Sequence, residues 1–112
     1  MQYRHLFHAG NFADVHKHIA LLQLVAALAR KAKGFLLLDT HAGEGLYDLA
    51  SPEARHSAES AAGIAQLEQG VRQGAQPPHP AIGHYLDLIA QVRRAAGGRP
   101  HLYPGSPVLA AR

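Results

Sequence analysis

Two groups of residues in this chain carry the types and spacing that chemistry needs. The first is Leu36 to Gly45, which reads Leu-Leu-Leu-Asp-Thr-His-Ala-Gly-Glu-Gly. A short apolar run ends in the carboxylate of Asp39 and opens into a turn with glycines at 43 and 45. Glycine lets a backbone take positive φ or approach a ligand closely, so this pattern suits the delivery of a strand end to a nucleotide-like ligand. His41 adds a ring for stacking or hydrogen bonding. The second group is Asp14, Lys17 and His18, whose i, i+3, i+4 spacing puts them on one face of a helix. Lys17 could meet a carboxylate, although a lysine on a helix surface is more often a solvated charge, and Asp14 could serve only to pair with it or favour the helix start. Nine histidines raise the question of a metal. The close pairs are His5 with His8 and His16 with His18. Helix positions i and i+2 do not face each other, and no His-Glu-x-x-His pattern exists, so no metal site is expected. Nucleophilic hydrolysis has no Gly-x-Ser-x-Gly elbow to support it.

The elements that must position these residues follow from periodicity. Residues 1–12 hold aromatic rings and histidines without a helical or strand period and read as an ordered arm. Asn11 or Asp14 can start a helix, and the sequence predicts one over Ala13–Lys33. Its later part, Ile19–Ala29, is apolar nearly all round and is expected to be covered on most sides. Gly34 suits the residue after the helix end. Phe35–Asp39 follows as a strand, continuous rather than alternating, which predicts a parallel strand buried on both faces. The tight connection makes helix and strand antiparallel. The helix start, Asp14 to His18, should therefore reach the C-terminal end of the strand, where ligands bind in open α/β sheets.

Residues 47–100 are rich in Ala, Gln, Gly, Arg and Pro and read as a small helical insertion. Helices are predicted over Ser57–Val71 and Ala81–Ala96, separated by Pro77, Pro78 and Pro80, with Tyr85, Leu88, Ile89 and Val92 on one face of the second. Leu102–Pro107 reads as a turn. Ser106 is expected as a helix N-cap, with Pro107 in the first helical position. Only about one and a half turns of that helix fit before Arg112, so an N-terminal part of a larger protein is expected.

At 112 residues one domain is expected. A net charge of +3 permits an anionic partner such as RNA without requiring one. The absence of cysteine excludes disulfides, thiol catalysis and cysteine-ligated zinc. Met1 to Ala9 is polar and histidine-rich, unlike a signal peptide. Ile19–Ala29 is shorter than the roughly 20 residues that span a bilayer. A soluble cytoplasmic protein is expected.

Three blocks then resemble a known family in the same order. Tyr3-Arg4-His5, Phe7-His8-Ala9-Gly10-Asn11, Ala13-Asp14-Val15 and Lys17-His18 form the first. Leu38-Asp39-Thr40-His41-Ala42-Gly43 with Gly45 is the second, and Tyr103-Pro104-Gly105-Ser106-Pro107 the third. Together they resemble the RlmJ (YhiR) family, whereas residues 48–100 match loosely and Gln2, Phe12 and His16 depart from its pattern.

The resemblance implies S-adenosylmethionine-dependent methylation of adenine N6 in 23S ribosomal RNA; a monomer is expected. It implies a Rossmann-like α/β fold, here incomplete, with a small helical insertion after the first strand. Its divisions would be 1–46 (arm, first helix, first strand and cofactor turn), 47–100 (insertion) and 101–112 (return to the methyltransferase domain). Lys17, His18, His41 and Ser106 would bind the cofactor, and Tyr3 would lie near the target adenine. The family's catalytic Asp-Pro-Pro-Tyr motif is absent from these residues, so no catalytic residue is assigned within them. A second reading is a non-catalytic remnant that binds RNA or cofactor. A third, an unrelated nucleotide-binding α/β protein, lacks the Gly-x-x-x-x-Gly-Lys-Ser/Thr phosphate loop.

Overall fold

The computed structural model describes residues 4–39, 43–74 and 76–111. After a 3-10 turn at His5–Phe7, helix α1 covers Phe12–Ala29. Asn11 caps it, its side-chain oxygen accepting the Asp14 N–H at 2.8 Å. Asp14, Val15, His18 and Leu22 are its buried residues, a stripe at helical spacing. The apolar residues around that stripe are only partly covered, and Leu24 is 56% exposed. By length and composition α1 is apolar enough to cross a bilayer, which the sequence reading of a shorter stretch did not allow. It packs against two other helices of the chain and carries buried Asp14 and His18. It also ends four residues before the expected Lys33. The Lys31 N–H bonds the Leu28 carbonyl, tightening the last turn to 3-10 spacing.

The predicted strand at Phe35–Asp39 is the main departure. Its residues belong to no sheet, and Leu36 and Leu38 are 92% and 80% exposed. A continuous apolar run reports what a strand requires on both faces. It does not report whether neighbours within the chain meet that requirement, and among the described residues none does.

The sheet that does form is a two-stranded antiparallel pair, β1 (Leu46–Asp48) with β2 (Leu102–Pro104). Tyr47 stands opposite Tyr103, and both are buried. Leu102–Pro104 is thus a strand rather than the expected turn; three residues are too few to show alternation. Helix α5 (Ser106–Ala110) follows, with Gly105 as its N-cap in place of Ser106.

Three helices lie between the strands. α2 (Pro52–Ser57) is capped by the Ser51 hydroxyl and ends at Ala58 in the left-handed region, φ 56°. A 3-10 turn at Glu59–Ala62 leads to α3 (Ile64–Gln73). The single helix predicted over Ser57–Val71 is therefore broken. At the break, the Ile64 N–H reaches the Gly10 carbonyl of the N-terminal arm at 2.8 Å. A Cβ on Gly63 would stand 2.0 Å from that carbonyl oxygen, so only glycine permits the approach.

α4 (Pro80–Ala95) buries Tyr85, Leu88, Ile89 and Val92, the four residues expected on one face. Arg93 at its end meets Glu68 of α3 in a two-pronged pair at 3.1 and 3.2 Å and donates to the Leu102 carbonyl. One apolar cluster unites α1, β1, α3, α4, β2 and α5 through residues such as Leu22, Tyr47, Ile64, Ile89, Tyr103 and Leu109.

Candidate functional site

Two polar clusters meet where α1 begins. The outer one joins the end of the extended segment to the start of α5. The Ser106 hydroxyl donates to the Asp39 carboxylate in a short bond. The glycine turn beside it is held by backbone. Gly43 and Gly45 take φ of +69° and +91°, the positive values that the sequence pattern invited. The Gly105 N–H bonds the Gly45 carbonyl. The Tyr47 hydroxyl accepts the Glu44 N–H at 3.0 Å and fills the place a side chain on Gly43 would need. Two chain segments some 60 residues apart in order, on the scale of a small helical domain, thus close on one another as a pair of turns.

The inner cluster is buried at His18 and Asp14 and opens toward solvent at His5. His18 on α1 is 1% exposed. Its Nδ1 lies 2.9 Å from the Tyr103 hydroxyl and 3.3 Å from that of Tyr85, and the two hydroxyls are 2.6 Å apart. Its Nε2 faces Asp14 at 3.5 Å. The other oxygen of Asp14 is met by His5 Nε2 and by the Gly10 N–H, each at 3.0 Å. The His5 ring in turn sits edge-on to Tyr47.

Charge in this cluster is governed by burial. Desolvation pulls His18 down to about 4 despite the nearby carboxylates of Asp14 and Asp39, with Lys17 and His5 adding to the fall. The ring is therefore neutral at pH 7. Burial pushes the Asp14 carboxyl up, but its bond to His5, the field of His18 and the Gly10 N–H bring it below its ordinary value overall. Burial raises both tyrosine phenols well above their usual range, so both remain protonated.

The predicted site residues thus separate. Ser106 is buried and engaged with Asp39. His18 is buried on the neighbouring helix, close enough for the charge of Asp39 to reach it. Lys17 is exposed. His16 is exposed while His18 is buried, so the two do not converge. Among the described residues no group of three or more histidines and carboxylates could hold a metal ion. Tyr3 and His41 lie outside the described residues. Sequence reasoning assigned no role to Tyr47 or His5 and placed Tyr85 only in the core. A buried tyrosine hydroxyl needs a partner, but nothing in the order of residues says which.

Comparison with known proteins gives this arrangement a class. A family model described as "Ribosomal RNA large subunit methyltransferase D, RlmJ" matches residues 32–112. Ribosomal RNA large subunit methyltransferase J of Escherichia coli (strain K12) is 41% identical over 111 residues, which cover 98% of this chain and 37% of that protein. The protein of the same name from Haemophilus influenzae is 40% identical over 99% of this chain and 37% of its own length. A crystal structure of a protein from Legionella pneumophila superposes with a TM-score of 0.74 at 35% identity, covering 91% of this chain and 34% of that one. As a class, the named relatives are methyltransferases of the ribosomal large-subunit RNA. Within that class, the chain belongs to the RlmJ family. It spans a little over a third of the length of these curated relatives.

Proposed function

We propose that this chain forms the cofactor side of an S-adenosylmethionine-dependent methyltransferase acting on adenine N6 of 23S ribosomal RNA, within a Rossmann-like domain. The observation that carries this reading is the closure of Asp39 and Gly45 on Ser106 and Gly105, near His18 of α1. The donor set fits the cofactor. It offers a carboxylate for an ammonium group, a hydroxyl, a turn that brings backbone close, and an exposed ammonium at Lys17 for a carboxylate.

When bound, S-adenosylmethionine would supply an electrophilic methyl group on sulfur. The residues of this chain would hold and orient. Lys17, His41 and Ser106 would line the site, with Asp39 bonded to Ser106 at its rim. His18 would close it from behind, a neutral ring that adds no charge near a sulfonium. Tyr3, on the arm that His5 ties to Asp14, would lie near the target adenine, extruded from its stack. Positioning is a large part of what such a site contributes.

A second reading is a non-catalytic cofactor- or RNA-binding remnant, which would keep the glycine turn and the basic residues. Calorimetric titration of the chain with S-adenosylmethionine tests cofactor binding, which both readings allow. Methyl transfer to protein-free 23S RNA separates enzyme from remnant. We expect binding without turnover by these 112 residues alone. Absence of binding would sink the cofactor assignment.

A further inference from the structure

The inner cluster fixes where its protons lie. His18 is neutral, so its ring carries one hydrogen. The Asp14 carboxylate faces Nε2 at 3.5 Å, and a lone pair there would oppose an anion. The hydrogen therefore sits on Nε2, and Nδ1 must accept. Two neutral hydroxyls supply the donor. With the oxygens 2.6 Å apart, one hydroxyl hydrogen bridges Tyr85 to Tyr103. The other, on Tyr103, faces Nδ1 at 2.9 Å, with the Asp14 carboxylate as a second acceptor in reach. A connected network results, from Tyr85 and Tyr103 through His18 to Asp14, where His5 and the Gly10 N–H also donate. It links α4, β2, α1 and the N-terminal arm, and no buried side-chain nitrogen or oxygen among the described residues lacks a partner.

We propose that the hydroxyls of Tyr85 and Tyr103 are positioning groups for the cofactor site, acting through His18: they hold its imidazole as the Nε2–H tautomer turned toward Asp14, and so join the middle helices to the arm that carries His5. This rests on the reading of that site as a cofactor site. A packing role for two tyrosines would need only their rings, and phenylalanine would serve as well. The positioning role needs the oxygens.

The test uses two variants of the 112-residue chain, Tyr103→Phe and Tyr85→Phe. Long-range nitrogen–proton NMR reads the tautomer of His18, and titration with S-adenosylmethionine reads the site. Wild type should show an unprotonated Nδ1 and a protonated Nε2. Tyr103→Phe leaves Nδ1 only the more distant Tyr85 hydroxyl at 3.3 Å, and should loosen the ring and bind about tenfold more weakly, as the loss of one buried neutral hydrogen bond implies. Tyr85→Phe should keep the tautomer and bind a few-fold more weakly, since the direct donor to Nδ1 remains. Circular dichroism confirms that each variant is folded. If Tyr103→Phe does not fold, Tyr85→Phe decides the matter, and wild-type affinity in it overturns the proposal. An Nδ1–H tautomer in wild type also overturns it. So does a folded Tyr103→Phe that binds as wild type, while leaving the cofactor site itself intact. Failure of wild type to bind S-adenosylmethionine is a different result: it removes the cofactor reading and the positioning role with it.

Discussion

Two apolar runs of similar strength meet opposite fates in this chain. The face of α4 made by Tyr85, Leu88, Ile89 and Val92 is wholly buried. The run Phe35–Leu38 lies extended, with Leu36 and Leu38 largely in solvent. Both patterns state a demand for cover. The helical period asks for cover on one side, and α1 and β2 provide it. The continuous run asks for neighbours on two faces and along two edges, and no described residue pairs with it. The difference teaches that periodicity reads the requirement of an element, while supply depends on the rest of the fold.

The largest effect should come from the covered side. Ile89 is 1% exposed at the centre of the cluster that unites the helices. Ile89→Ala should destabilise the chain by about 3 kcal/mol, from lost transfer energy and the cavity left behind. Urea unfolding at pH 7 measures it. A loss below about 1 kcal/mol would mean that α4 is not the packed element its burial indicates.

The same contrast shows what was legible in the sequence. The α4 face was, because residues 85, 88, 89 and 92 repeat at helical spacing over a long element. The Asn11 cap and the positive φ of Gly43 and Gly45 were legible because each rests on local backbone chemistry. The pairing of Leu46–Asp48 with Leu102–Pro104 was not, since strands of three residues carry no period and their partners lie far apart in order. The break at Gly63 was hidden for a related reason: its cause is the carbonyl of Gly10, a contact across the fold. At the site, the approach of the α1 start to the end of the apolar run could be expected from their lengths, whereas the bond between Asp39 and Ser106 could not. The tyrosine pair behind His18 could not, because hydroxyl partners are chosen by tertiary packing.

The inner cluster sets the next effect, through pH. Unfolded His18 takes up a proton near 6.5, whereas the folded ring resists until about 4. Between those values the unfolded state binds more protons, so stability rises with pH and is lost as pH falls through that window. The span corresponds to about 3 kcal/mol. His18→Gln, which cannot titrate, should flatten the dependence between pH 6.5 and 4 while lowering stability at pH 7. Asp14 acts in a lower range. Its depressed carboxyl contributes stability above about 3.8 that disappears only as pH falls through its folded value. Parallel pH profiles for wild type and His18→Gln would show that the ring is not sealed from water.

Two glycines in one region offer a smaller and two-signed comparison. A Cβ at Gly63 would meet backbone atoms of Gly10 and Asn11 at 2.0 and 2.5 Å, and backbone cannot move aside cheaply. Gly63→Ala should cost about 2 kcal/mol and release the arm, so that the Ile64 amide exchanges faster with solvent. Gly70 lies within α3 with nothing inside 4 Å of its position. There the same substitution should stabilise by about 0.5–1 kcal/mol, the ordinary preference of a helix for alanine over glycine. Equal effects at the two positions would mean that the arm does not rest on the start of α3.

The smallest effect on stability belongs to the uncovered run. Leu36 is 92% exposed, so Leu36→Ser removes almost no buried contact. Its unfolding free energy should stay within about 0.5 kcal/mol of wild type, as for surface substitutions generally. The consequence should appear in association instead. An extended apolar segment with unpaired backbone groups is a template for another strand, and the side chains at 36 and 38 are its most exposed. Sedimentation at rising concentration should show wild type associating and Leu36→Ser, Leu38→Ser remaining monomeric. A loss comparable to Ile89→Ala would mean instead that this run is already covered within a single chain, and the contrast between the two regions would collapse.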